Sequence, residues 1–439
     1  MAPSPRVTYT RVLRHRVFRG LLVAEVLSLV ADRLAAVALT VLVFQTTGSA
    51  LLSGATYAAT LLPWMFSGLL LSVVADRWSR RTIMVGSDLG RAALVGLMTI
   101  PGTPTWVLLT LLVLTGLLAP PFEAARAAVL PAVLRGEEYA VGSSLSMLVT
   151  MGSQLAGLAM AGAVVVQIGV RAALAVNAVS FVLSAVIVLA VLRKGVGDAE
   201  RLPERLDYRR DVADGLRTVF ADARLRSLLV MAWLVACVLV VPEGLAVVLV
   251  EDRGASDVWT GLLMASVPAG MAVGAALLGR AVRPVTRAKA LLPLAVLAAV
   301  PLLLTPLGGQ PWLVALLWFA AGVGGAYQMP ANVLFMTLVP ETHRGRAFGV
   351  AQSGLLALQG VALLVAGAVA DVVGPDLAVS GSAALALLAV GLLAVRWPSR
   401  ALEDAAVALA EVTDDDALGA PAPSTRTAAS VAGPGPGPA

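Results

Sequence analysis

The chain has 439 residues, of which 59% are hydrophobic and only 13% charged, with a formal net charge of +5. Soluble domains carry roughly 25% charged residues, so a water-soluble enzyme or a nucleic-acid-binding module is excluded as the body of the molecule. One cysteine, Cys237, cannot build an intramolecular disulfide framework, and the distant His15 and His343 offer no metal cluster.

Apolar runs of bilayer-spanning length, about 17–25 residues, recur along the chain, which predicts an all-α integral membrane fold. Twelve transmembrane helices are expected, over 17–44, 51–75, 82–100, 105–127, 141–166, 172–192, 227–250, 258–279, 288–307, 311–335, 346–370 and 376–397. The first run follows Arg11, Arg14, Arg16 and Arg19. It exceeds the apolar core of a signal peptide, about 7–15 residues, and contains Glu25, Asp32 and Arg33. It is therefore expected to stay as a span. Turn-forming stretches separate later runs, including PGTP at 101–104 and GGQP at 308–311.

Basic residues test this division. With both termini cytoplasmic, 28 of the 32 fall in inside segments, and only Arg171 and Arg253 in outside loops. Short loops rich in Arg and Lys stay in the cytoplasm, so a multi-pass plasma-membrane protein with cytoplasmic termini is expected. The long polar segment 193–226 divides the spans six and six. Within it Val212, Leu216, Val219 and Phe220 lie at helical spacing, predicting an amphipathic helix on the cytoplasmic surface. The organisation is then a six-helix half (1–192), a linker (193–226), a second six-helix half (227–397) and a disordered tail (398–439) ending GPGPGPA.

The halves carry an internal repeat. PFEAARAAVLPAVLRG from Pro121 and PANVLFMTLVPETHRG from Pro330 share two prolines and an Arg-Gly pair at one offset of 209 residues. Two similar halves in the same orientation point to parallel repeats packed around a central cavity.

The segment SVVADRWSRRTIM (72–84) connects spans 2 and 3. An Asp at a helix end can accept hydrogen bonds from free N–H groups at another helix's start, and Arg forks can bridge to carboxylates, Glu123 being the best-placed partner. Such a cluster can hold one state of a two-state transporter; alternatively, 77–81 is only a positive-inside anchor. Asp76, Arg77, Arg80 and Arg81 resemble the loop signature of the major facilitator superfamily, with Ser72 and Ser79 in place of two glycines. Within that superfamily the chain is similar to bacterial macrolide-efflux and siderophore exporters, in RHRVFR (14–19), an Asp in span 1, the ADRWSRR loop and DLGRA (88–92). The resemblance implies a conformational gate, formed by Asp76, Arg77, Arg80, Arg81, Asp88, Arg91, Glu123 and Arg126, with Asp76 facing 346–348.

Charges within spans point to the transport step. Asp32 lies near mid-depth in span 1 and Glu25 two turns earlier on the same face. A charge there costs about 2.5–3.5 kcal/mol on insertion scales, so it faces protein or water. Either carboxyl could carry a proton, or Asp32 could simply tie helices together through an Arg. Arg33 is poorly placed for that; Arg91 is better placed, although Asp88 competes for it. Glu243, after Pro242 in span 7, is a second protonatable candidate or an outer-surface group. Gln154, Gln328, Asn332 and Gln359 offer neutral hydrogen bonds to a ligand or to neighbouring helices. GSQLAG (152–157) resembles an exporter signature with Ser153 and Ala156 substituted.

The function expected is proton-coupled export of amphipathic small molecules by alternating access, in a monomer with no cofactor and no nucleic-acid partner. Proton-coupled uptake of a metabolite is the alternative, since Arg33 would favour an anionic substrate. No phosphate-binding loop or Ser-centred nucleophile motif is present, so neither ATP hydrolysis nor enzymatic chemistry is expected.

Overall fold

A computed structural model describes residues 8–65, 78–193, 195–196, 208–282, 284–404 and 407. Among these residues the regular structure is helical, without a strand, as the bilayer requires: a helix satisfies every backbone polar group within itself. In chain order the helices are α1 (Tyr9–Val12), α2 (Arg16–Thr47), α3 (Ala50–Ala59), α4 (Leu62–Met65), α5 (Arg80–Met98), α6 (Thr105–Leu117), α7 (Ala119–Val133), α8 (Glu137–Ile168) and α9 (Val170–Val191). Then follow α10 (Tyr208–Ala221), α11 (Ala223–Asp252), α12 (Val258–Ala281), α13 (Pro284–Lys289), α14 (Leu291–Leu303), α15 (Pro311–Gly325), α16 (Gln328–Leu338), α17 (Arg344–Val373) and α18 (Pro375–Val395).

Nine spans among the described residues are long and apolar enough to cross a membrane, so the chain is a multi-pass membrane protein. Three of the twelve expected spans look different. The run 51–75 is represented by α3 and α4, its remainder lying outside the described residues. The run 82–100 forms the single helix α5, whose charged residues lower its hydropathy. The run 288–307 is shortened to α14, with the separate turn α13 before it.

Spans 4 and 10 are not single rods. The first breaks at Leu118, between α6 and α7, and the second at Ala326 and Tyr327, between α15 and α16. Pro120 and Pro121 open α7, and Pro330 sits in the first turn of α16, where a missing N–H costs little. The breaks therefore fall at corresponding points of the repeat. Gly169 and Gly374 correspond at an offset of 205 residues. Each joins two long helices at φ near +80° and ψ near 160°, a backbone region open essentially to glycine alone. Gly169→Ala and Gly374→Ala should each lower stability by about 1–3 kcal/mol, read as thermal unfolding in detergent.

The amphipathic linker helix rests part of its apolar face on protein, with Leu216 and Phe220 left exposed. Val219 is fully buried and packs with Leu225, Leu229, Phe335, Val339 and Ala347, while Gly215 abuts the backbone of Arg346. Protein, rather than lipid headgroups, covers that part of its apolar face. The tail also starts later than its composition suggests. Residues 399–404 are helical, Leu402 is buried, and Glu403 pairs with Lys289 at 3.3 Å.

Glycine lets helices touch at one end of the bundle. Gly162 of α8 meets the backbone of Asp257 and Val258, and Gly261 of α12 meets that of Leu158. Gly54 of α3 lies on Leu363 of α17, and Gly367 on Ala50 and Leu51. Such approach replaces side-chain burial with dispersion contacts, the main attraction available where lipid is as apolar as leucine.

Candidate functional site

Three polar clusters interrupt the apolar packing, and each has a member on α2. In the first, Asp32 accepts from Arg91 of α5 at 2.5 Å and from Asn177 of α9 at 3.3 Å. The Arg91 guanidinium also sits 4.0 Å from the Phe181 ring centroid, a cation–π contact strengthened by desolvation. Asp88, fully buried one turn before Arg91, faces Ser184, and neither of its carboxylate oxygens meets a well-formed hydrogen bond among the described residues. Of the two expected competitors for Arg91, Asp32 takes it.

The second cluster surrounds Glu25, which is 2% exposed. Thr150 of α8 donates to Glu25 at 2.5 Å, and Arg126 of α7 pairs with it. Arg126 also lies 3.3 Å from Glu123. This redraws the expected gate. Arg126 and Glu123 belong with Glu25, while Arg81 donates to the Leu189 carbonyl at 2.8 Å instead of bridging to Glu123. The reason is register: Glu123 and Arg126 are one turn apart on α7 and close on each other. Asp88 and Arg91 likewise sit with Asp32. Arg80 opens α5, as expected of the loop, and Asp76 and Arg77 lie outside the described residues.

Glu25 and Asp32 therefore share a helix but not their partners. A cavity of about 400 Å³ reaches Glu25 and Arg126 between α2, α7 and α8, with Ser146, Met147 and Gln154 on its wall. A second, about 260 Å³, lies between α11, α16 and α17 and holds Gln328 and Asn332. Both are lined by residues in the parts of these helices nearer Arg16, Glu137, Ala223 and Arg344.

The third cluster bridges distant parts of the chain. Arg33 donates to Gln154 at 3.2 Å, and Tyr57 of α3 donates to Glu243 of α11. The charge of Arg33 reaches that pair as well. Helix α11 runs unbroken through Pro242. Gln359 donates to the Ala236 carbonyl at 3.3 Å and joins helices.

Sequence reasoning missed Thr150, Asn177, Tyr57 and Asp371. Asp371, at the far end of α17, accepts from the Ala50 and Leu51 amides at 2.5 and 3.1 Å and from the Ser49 hydroxyl at 3.0 Å. It thereby caps the free N–H groups at the start of α3. An acidic residue closing an apolar run was the available signal, but its target was not. Asp371→Ala should loosen this end. Cysteine introduced at Leu51 would then react with an impermeant maleimide about threefold faster, as expected when a cap worth about 0.5–2 kcal/mol is lost; an unchanged rate would contradict the assignment.

The sequence profile of the Major Facilitator Superfamily matches residues 21–352 and 244–413. The chain is 28% identical over 388 residues to an uncharacterized MFS-type transporter, YfiS of Bacillus subtilis strain 168, covering 85% of this chain and 91% of that one. It is 27% identical over 395 residues to the multidrug efflux pump Tap of Mycobacterium tuberculosis (strain ATCC 25618 / H37Rv), with 86% and 93% covered. Among solved structures it resembles a peptide transporter POT in complex with sulfate, at a TM-score of 0.68 and 14% identity, covering 90% of this chain and 97% of that one. It also resembles the nucleoside transporter NupG, at 0.66 and 14%, with 87% and 99% covered. An all-helical bundle with charged side chains at its centre, matched in fold and in sequence over nearly its whole length, identifies the chain as a transporter belonging to the Major Facilitator Superfamily.

Proposed function

We propose that this transporter is a proton-coupled exporter of amphipathic small molecules. It works as a monomer in the plasma membrane, with both termini cytoplasmic and the proton gradient as its energy source. Twelve spans form two six-helix halves, and the matching breaks in spans 4 and 10 and the matching glycines 169 and 374 support that division. With cytoplasmic termini, the two cavities lie nearer the inner side, and the end held by Asp371 and the glycine contacts faces out.

The observation that carries this reading is the Asp32–Arg91 pair inside the bundle. Protonation of Asp32 would remove the carboxylate charge that holds Arg91, while Phe181 keeps the guanidinium in place. Helix α2 would then lose a tie to α5 and α9, which biases a two-state bundle. The likeness to the efflux pump Tap supports export.

Inverted membrane vesicles with an imposed pH gradient test this. Ethidium should accumulate inside them when the lumen is acid, and a protonophore should abolish it. Accumulation indifferent to the gradient would remove proton coupling. Substrate movement in the opposite direction would favour the uptake reading, to which Arg33 beside Gln154 would lend itself as an anion site.

A further inference from the structure

The two cavities are the same place in the two copies of the repeat. On the first helix of each, Leu21, Leu22 and Glu25 correspond to Leu228, Leu229 and Ala232 at one offset of 207 residues. On the last, Ser143, Ser146, Met147 and Thr150 correspond to Phe348, Ala351, Gln352 and Leu355 at an offset of 205. Between them Arg126 corresponds to Phe335, and its neighbour Glu123 to Asn332, at the repeat offset of 209. The chemistry has nevertheless diverged. Where one cavity has the ion pair of Glu25 and Arg126 backed by Thr150, the other has Ala232, Phe335 and Leu355, and no charged residue lines it.

From this divergence we propose that the cavity between α11, α16 and α17 binds the flat aromatic end of the transported molecule. Trp233 is the anchor. Its indole N–H donates to the Ala351 carbonyl at 3.0 Å, its six-membered ring lies close against Gly354, and the Phe220 ring centroid stands 6.4 Å away, tilted by 54°. A ring fixed in this way stacks on a flat ligand with little loss of freedom. Gln328, Asn332 and Gln352 line the same space, and none has a side-chain hydrogen bond among the described residues. Gln328 is half-buried and Asn332 and Gln352 are exposed, so their amides are open to water or to a ligand. Together they select a planar ring system carrying neutral donors and acceptors, and a space of about 260 Å³ admits a small one.

This assignment rests on the reading of the chain as an exporter of amphipathic molecules, and it divides the labour between the halves. The charged cavity and the Asp32 pair handle the proton, and the uncharged cavity handles the ring.

Ethidium binding to the full chain in lipid nanodiscs tests it, with the dissociation constant read from ethidium fluorescence. Trp233→Ala should weaken binding about tenfold, and Asn332→Leu about threefold, by loss of a stacking face and of a hydrogen bond. Trp233→Phe keeps a ring and should stay within about threefold of the wild type, which separates loss of stacking from loss of fold. Ethidium bound within about twofold of wild-type affinity by Trp233→Ala overturns the proposal, as does a wild type that shows no saturable binding. Loss of gradient dependence with ethidium binding and its Trp233 sensitivity intact would instead remove proton coupling and leave the aromatic site standing.

Discussion

Asp32→Asn is expected to abolish gradient-driven transport while leaving the substrate bound. The amide has nearly the volume of the carboxyl and can still accept from Arg91, so the helix contacts around it survive. It cannot exchange a proton, so the pH gradient no longer biases the two conformations. Coupling free energies of about 3 kcal/mol correspond to roughly 150-fold, so ethidium accumulation in inverted vesicles should fall about 100-fold, close to passive leak. Ethidium affinity in nanodiscs should stay within about threefold, because the proposed ring site lies on α11, α16 and α17. Gradient-driven accumulation above half of the wild-type rate would place the coupling carboxyl elsewhere. Glu25, enclosed by Thr150 and Arg126, would then be the next group to replace.

The second large effect concerns stability. Arg126→Ala leaves the carboxylate of Glu25, 2% exposed, without its counter-charge. Breaking a buried pair by removing one partner costs about 3–5 kcal/mol, because the remaining charge must be desolvated alone. The Glu25→Gln/Arg126→Ala double variant removes both charges and should recover at least half of that loss. Thermal unfolding followed with a thiol-reactive dye suits this chain, since Cys237 is its one cysteine and is partly buried. A shift of about 2 °C or less for Arg126→Ala, which corresponds to about 1 kcal/mol, would mean that water already reaches Glu25 through the adjoining cavity.

Much of the architecture was legible in the residues because membrane insertion leaves few choices. An apolar run of sufficient length must be a helix, and its charged flanks mark its ends. The repeat around Pro121 and Pro330 was legible too, although the breaks beside it in spans 4 and 10 were not. The sequence misled where a helix has protein instead of lipid or water beside it. On the linker helix Leu216 and Phe220 are exposed while Val219 packs on protein; the tail looked disordered from 398, but Leu402 is buried. Hydropathy measures the preference for leaving water, and it is blind to which apolar phase receives the side chain.

The same distinction applies to the charges. That Glu25, Asp32, Asp88, Arg91 and Arg126 need company followed from the cost of a bare charge among apolar residues. Who accompanies whom did not follow. Arg91 had two carboxylates within reach, and only the packing of α2 against α5 and α9 gave it to Asp32. Glu25 and Asp32 share a helical face by count, yet α7 and α8 surround one and α5 and α9 the other. By itself, then, the sequence determined the helical membrane fold and the set of costly charges, because these follow from composition and local periodicity, and its loop motifs carried the resemblance to the family. The pairing of those charges, the Asp371 cap and the chemical divergence of the two cavities were decided by tertiary structure, because they depend on side chains brought together across tens to hundreds of residues.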